Sequence, residues 1–502
     1  MLYASSCPKW VERGQDARLN QSANAGPLSR ALRDGARPLV LLAHSFFLHR
    51  DAKQLERNKP YPPLTTLLAA QMLREAGEHV ELFDATFAEG PEAFAARLTG
   101  LAPSVLLLID DNFNFLTKMC TESRREDALA MIQSAVANGW TVAVNSPDAI
   151  DDPRLYLNAG ATAVLAGEGE FAALEFILAI GAGSDLARVG GLVLRDGEGG
   201  IHRTPPRLGR PNLDSLPLPA WDLVDVEAYR EAWVARHGFF SWNAASSRGC
   251  PYSCNWCAKP TFGRRYSQRS PASVADELLR LKHEVLPDHI WFADDIFGMT
   301  AEWIARFADE VTRRDAVIPF MMQSRVNLIT QPVAAALRAA GAQEVWLGVE
   351  SGSQRIVDAM DKGAHVDTAR VATRNLRHHG IRACWFLQLG YPPEDWDDIL
   401  ATRNLVREEA PDDIGVSVAY PLPGTAFYER LAADLSARRN WHDTGELAML
   451  FKGTFDTAFY RMVRDALHAD VTLRRNCEAT WAELGALAEA HRTVSMADRL
   501  SA

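Results

Sequence analysis

The sequence predicts an α/β chain: a doubly wound Rossmann-like domain, followed by an incomplete parallel (β/α)6 barrel and a helical carboxyl-terminal segment. Three observations carry that prediction. Between residues 38 and 166, five short and uniformly apolar runs alternate with stretches of helical periodicity. Five prolines then fall close together, Pro205, Pro206, Pro211, Pro217 and Pro219. Beyond them the alternation restarts and yields six more apolar runs. A run of four to eight apolar residues without a polar face suits a strand covered on both sides. Strands alternating with helices at this spacing join by crossovers into a parallel sheet.

After an irregular amino-terminal extension, 1–36, the first strand is 38–45 (PLVLLAHS). Further strands are read at 80–85, 104–110 (SVLLLID), 141–145 and 163–166. The helix at 64–76 brings Leu67, Leu68, Met72 and Leu73 onto one face and stops before Gly77. These elements define a domain at 37–182, whose ligand would sit at the carboxyl ends of the strands. Residues 183–235 hold a hairpin around 196–200 and the prolines, which make a semi-rigid linker.

The barrel, 236–430, has strand candidates at 243–247, 289–293, 319–324, 344–349, 383–389 and 414–420. The helix at 271–285 illustrates the pattern: Ser270 as N-cap, Pro271 at the first helical position, and Val274, Leu278, Leu281 and Val285 along one face. Without a seventh and eighth unit the barrel stays open on one side. In the segment 431–502, Phe455, Phe459, Met462 and Leu467 recur near helical spacing, a pattern of helix core rather than of a pocket.

The chain has 502 residues, 53 Lys+Arg against 64 Asp+Glu and a net charge of −11. A hydrophobic fraction of 47% with 23% charged residues is that of a globular protein, not of a disordered or fibrous one. The acidic balance argues against nucleic acid as main partner. No run approaches the roughly 18–20 apolar residues of a membrane span, and residues 1–20 lack the apolar core of a secretory signal, so a cytoplasmic location is expected. Of seven cysteines, Cys7, Cys120, Cys384 and Cys477 are scattered, whereas Cys250, Cys254 and Cys257 lie within eight residues. In a reducing compartment that asymmetry favours a metal or cluster site over disulfides. No Ser/His/Asp or HExxH arrangement suggests a hydrolase.

The cysteine triplet occupies RGCPYSCNWC (248–257), directly after the first barrel strand. Three thiolates on one short loop suit a cubane iron–sulfur cluster, with one iron left for a chelating small molecule. A structural zinc would need a fourth ligand, and the nearest histidines, His237 and His283, form no familiar spacing with the loop. This CxxxCxxC loop, with aromatic Trp256 before the third cysteine, resembles the signature of the radical S-adenosylmethionine (SAM) enzymes. The resemblance implies a 4Fe–4S cluster on Cys250, Cys254 and Cys257, with SAM on its open iron. It also implies SAM contacts from Trp256 and from later strand ends: Asp295, Ser324, Arg325, Glu350, Ser351 and Gly390.

The first domain, through residues 62–85 and AVLAGEGE (163–170), resembles the cobalamin-binding domain that precedes this barrel in one large subgroup. Glycines just after a strand let a backbone approach a ligand, and no GxGxxG follows the first strand, so the dinucleotide fingerprint fails. Ser146, Gly167, Glu168 and Gly169 are the implied cobalamin contacts. The DxHxxG motif of cobalt-ligating domains is missing: neither His44 nor His49 has Asp two before and Gly three after. Cobalt without a motif-type histidine ligand is therefore expected, faced by the loop 110–114.

The resemblances together cover most of 37–430 and imply C-methylation of an unactivated carbon in a small-molecule natural product, lipid or tetrapyrrole. One SAM would supply the methyl of methylcobalamin and another the 5′-deoxyadenosyl radical, with an external donor such as flavodoxin or ferredoxin providing electrons. A cyclase or rearrangement enzyme without methyl transfer is the alternative within the subgroup, and a non-catalytic cobalamin or metal carrier the alternative outside it. Methylthiotransferases need three further amino-terminal cysteines, which Cys7 and Cys120 do not supply.

Overall fold

A computed structural model describes residues 38–500, apart from 208–211, 258–261, 263–264 and 474–476. The extension expected at 1–36 lies outside the described residues. Two sheets organise the rest. The first contains β1 (Leu39–Ala43), β2 (His79–Phe83), β3 (Val105–Ile109), β4 (Thr141–Asn145), β5 (Ala163–Leu165), β6 (Leu192–Arg195) and β7 (Ile201–Arg203), in the order β2-β1-β3-β4-β5-β6-β7. β1 to β5 are parallel, and β6 and β7 continue the sheet antiparallel. The hairpin expected in the linker thus extends the sheet. Chain direction across the sheet reverses between β1 and β3, which places a topological switch point at their carboxyl ends.

Between the sheets, the helix Val226–His237 and the linker are packed rather than loose. Trp233 Nε1 donates to Pro60 O at 2.7 Å, and Ala220 N donates to Leu67 O at 3.1 Å. Asp214 accepts from Ser270 N at 2.7 Å, which ties the linker to the barrel. Phe240 is buried, whereas Phe239 is exposed beside Trp233 and His237.

The second sheet begins with β8 (Ser241–Ala244). A two-residue antiparallel ribbon, β9 (Ser247–Arg248) and β10 (Ser267–Gln268), follows and brackets the cysteine loop. β11 (His289–Phe292), β12 (Phe320–Arg325), β13 (Ala342–Glu350), β14 (Arg382–Leu389) and β15 (Asp413–Val418) complete a six-stranded parallel sheet with β8. Its order, β15-β14-β13-β12-β11-β8, is sequential, and β8 and β15 are its two edges, as an incomplete barrel requires. Crossover helices cover its outside. In the first, Pro271–Glu284, Ser270 Oγ accepts from Ser273 N at 3.2 Å and Val274, Leu278 and Leu281 are buried.

The carboxyl-terminal segment is helical at Thr457–His468 and Glu478–Leu500. Asp456 caps the first of these, accepting from Phe459 N at 2.8 Å, and Phe455, Phe459 and Leu467 are buried in the core. Residues 432–456 carry no helix and instead strap the barrel to the first sheet unit. Trp441 O and His442 O accept from Glu122 N and Ser123 N at 2.8 and 3.0 Å, and Lys53 Nζ donates to Thr444 O at 2.9 Å. Among the described residues no helix is long and apolar enough to cross a membrane.

Candidate functional site

The cysteine loop leaves the first barrel strand through β9 and turns at Gly249, whose φ of +74° suits a residue without Cβ. Cys250 is buried, while Cys254 and Cys257 are half-buried. Between them Asn255 pins the loop to the barrel. Its Nδ2 donates to Ala359 O at 2.9 Å and to Asp361 Oδ2 at 2.8 Å, and its Oδ1 accepts from Tyr391 Oη at 2.6 Å. Trp256 packs against an apolar cluster that includes Ile356, Met360 and Tyr391, its indole N–H without a partner among the described residues. Arg325, at the end of β12, stacks on Tyr252 at 3.7 Å and donates to Cys254 Sγ at 3.2 Å. A cation therefore rests on one of the three sulfurs, and three soft donors on one anchored loop fit an iron–sulfur cluster. Among the described residues no three His, Cys, Asp or Glu side chains close around a single metal ion.

Around this loop stand the other strand ends. Asp294, after β11, is fully buried and accepts from Ser246 N and Oγ at 3.1 and 2.6 Å, and burial pushes its carboxyl up to about 6. The neighbouring Asp295 pairs with Lys118. Ser324 is buried on β12. Glu350 closes β13 at a φ of +67° and pairs with buried Lys362 at 2.7 Å. Ser351 Oγ accepts from Ser353 N at 3.1 Å, and Gly352 lies so close to Ala401 O that an added Cβ would fall 2.5 Å from it. Gly390, after β14, has a φ of +75° and donates its N–H to Glu394 Oε2 at 2.5 Å, beneath Met449 and Tyr460. Six of the seven expected SAM contacts thus stand at strand ends around the cysteine loop, which carries the seventh, Trp256. Most also have a protein partner.

Sequence reasoning missed Glu394. Burial holds its carboxyl at about 8, and its Oε1 has no partner among the described residues. The available signal was a carboxylate four residues after a strand-ending glycine.

The first sheet presents a second rim. Buried Asn145 is its hub: Nδ2 donates to Leu165 O at 2.7 Å and Gly167 O at 3.2 Å, and Oδ1 accepts from Asn112 at 2.7 Å. Gly169 packs so tightly that a Cβ there would meet Asn145 Oδ1 at 2.3 Å, whereas Gly167, at φ +83°, faces open space. Ser146 Oγ is occupied as a helix cap, accepting from Ala149 N at 3.0 Å. At the switch point Asp110 accepts from Ser45 N at 2.8 Å, and Asp111 accepts from Thr65 Oγ1 at 3.1 Å. His44 is buried against Asp84, at 2.9 Å, and the Ala85 N–H, while His49 is exposed.

The two rims face each other. Arg248, two residues before Cys250, reaches both Glu168 and Glu170 of the first sheet unit. Lys118, after β3, reaches Asp295 after β11. Phe113 and Phe262 meet between these pairs at 4.9 Å, and the Arg248 guanidinium lies 5.5 and 5.4 Å from their rings. An apolar cleft lined by Leu64, Leu68, Phe113, Leu216, Pro217 and Arg248 runs from here under the linker. Neither Lys118 nor Glu170 stood out in the sequence, since a lone charge carries no sign of a partner more than 75 residues away.

These features define an α/β protein whose partial barrel presents a three-cysteine loop to a doubly wound domain. Residues 245–406, most of the barrel, match the model of the radical SAM superfamily. An uncharacterized methyltransferase of Pyrococcus horikoshii is 30% identical over 281 residues, 56% of this chain and 60% of that one. The anaerobic magnesium-protoporphyrin IX monomethyl ester cyclase of Rubrivivax gelatinosus is 26% identical over 280 residues, 54% of this chain and 49% of that one. The chain thus spans about half to three fifths of these relatives. Among solved structures, the radical SAM methyltransferase TsrM of Kitasatospora setae, with cobalamin and a 4Fe–4S cluster bound, superposes with a TM-score of 0.66 at 20% identity. The match covers 80% of this chain and 76% of that one, and shows that the two-unit fold is shared.

Proposed function

We propose that the chain is a cobalamin-dependent radical SAM enzyme that methylates an unactivated carbon of a small molecule. The observation that carries the reading is the meeting of the two rims: the cysteine loop on one, the 166–170 loop on the other, and ion pairs of buried Lys118 and Arg248 holding them together. Cys250, Cys254 and Cys257 would hold the cluster. Trp256, Asp295, Ser324, Arg325, Glu350, Ser351 and Gly390 would surround SAM, and Ser146, Gly167, Glu168 and Gly169 would border cobalamin. When bound, the cluster and SAM supply a radical that abstracts hydrogen, and cobalamin supplies a methyl group.

The chain's own contribution is geometry and exclusion of water. Asn255 and Tyr391 fix the cysteine loop, and Arg325 sets a cation on Cys254. Glu350 and Lys362 neutralise each other at the end of β13, so that rim carries no buried net charge from them. The strap 432–456 closes the side of the interface where the barrel sheet ends. Units at 37–182 and 236–430, with a linker at 183–235, would be the cofactor-holding domains, and an external flavodoxin- or ferredoxin-like donor would reduce the cluster.

Likeness to the Rubrivivax cyclase favours a second reading, in which both cofactors serve a ring closure or rearrangement without methyl transfer. SAM carrying an isotopically labelled methyl, incubated anaerobically with reconstituted protein, reductant and extracts of candidate small molecules, separates the two. Label in a new carbon–methyl product is expected. A converted but unlabelled product favours the second reading, and no deoxyadenosine at all overturns both.

A further inference from the structure

We propose that Arg248 is a positioning residue that couples the cysteine loop to the 166–170 loop, so that loading one site orders the other. The proposal rests on the reading that the three cysteines hold a cluster. Arg248 ends the ribbon strand β9, with only Gly249 between it and Cys250. Its side chain is buried, and one terminal nitrogen lies against carboxylates of both Glu168 and Glu170. Glu170 is fully buried and Glu168 partly so, and these residues start the helix Gly169–Gly181 directly behind Gly167.

The backbone on each side transmits a shift. Toward the barrel, β9 pairs with β10, and Ser247 Oγ bonds Asp294 and Ile296 O, so Arg248 cannot swing independently of the cysteine loop's base. Toward the first sheet, Gly169 packs against Asn145, which also holds Leu165 O and Gly167 O. A displacement of Glu170 is thereby passed to the open loop at Gly167. Phe113 and Phe262 flank the guanidinium, and the two carboxylates are its partners among the described acidic groups. Because Glu168 and Glu170 share one guanidinium nitrogen, the start of the helix Gly169–Gly181 depends on where Arg248 stands.

Amide hydrogen exchange of the full chain, with the cluster assembled and after its removal by an iron chelator, tests the coupling. Wild type is expected to lose protection in 249–257 and in 166–170 together, by roughly tenfold, as local opening becomes easier on both sides of Arg248. In Arg248→Gln, 249–257 should still respond while 166–170 should not, and Arg248→Lys should restore part of the link. A 166–170 loop indifferent to the cluster in wild type, or still responsive in Arg248→Gln, overturns the proposal. Should Arg248→Gln not fold, Glu170→Gln leaves one carboxylate on the cation and is expected to weaken the response in the same direction; an unchanged response there also overturns it. Iron and sulfide content of wild type reports separately on the parent reading: no cluster sinks that reading and the coupling with it, whereas a cluster without coupling sinks only the latter.

Discussion

The barrel rim and the first-sheet rim meet in one interface but are built differently. On the barrel side the chemistry is in side chains: three thiols, Arg325 against one of them, Glu350 paired with Lys362 and Asp294 buried beneath two serines. On the first-sheet side it is in the backbone, with Gly167 turned to positive φ, Gly169 pressed on Asn145 and carbonyls gathered by one amide. A small chelated cofactor at a cluster needs specific donors. A large, rigid one needs shape, and glycine backbone gives shape without chemistry of its own.

If that contrast holds, the barrel rim breaks by losing functional groups. Replacing Cys250, Cys254 or Cys257 with Ala should abolish the iron–sulfur chromophore and SAM cleavage, both read on anaerobically reconstituted protein. The interface should break by losing charge: Lys118→Met leaves half-buried Asp295 without its cation and should lower stability by about 1–3 kcal/mol, measured by chemical denaturation followed through tryptophan fluorescence.

The first-sheet rim should break by gaining volume. Gly169→Ala drives a methyl into Asn145, which three hydrogen bonds hold in place, and should cost about 1–3 kcal/mol and weaken cobalamin binding in an equilibrium titration. A Gly169→Ala protein that binds cobalamin as wild type does would contradict the contrast. The most gradual effect is a pH slope. Burial lifts the Glu394 carboxyl from an ordinary 4.5 to about 8, so between those values the folded chain keeps a proton the unfolded chain has lost. Stability should fall as pH rises through that window, by at most about 1.4 kcal/mol per unit, and fall no further above it. Glu394→Gln should flatten the slope in denaturation curves taken from pH 5 to 9.

The same contrast explains what the sequence made legible. Apolar runs located the parallel strands of both sheets within a few residues, because strands covered on both sides leave a continuous hydrophobic mark. CxxxCxxC marked its loop because ligand geometry restricts the spacing. Asn145, Lys118, Glu170 and Glu394 were not legible, since each acts through a partner brought near only by folding. The strap at 432–456 was read as helical, yet its hydrogen bonds run to residues more than 300 positions away, which no local periodicity records.

The account's central claim is that both rims are loaded in one molecule. The most direct measurement is the electron paramagnetic resonance spectrum of the anaerobically reconstituted full chain with cobalamin supplied, before and after reduction and after addition of SAM. The account predicts a cob(II)alamin signal and a reduced-cluster signal in the same protein, the latter changed by SAM and lost in Cys254→Ala while the cobalamin signal survives. A cluster signal indifferent to SAM, or a protein that retains no cobalamin, would contradict it.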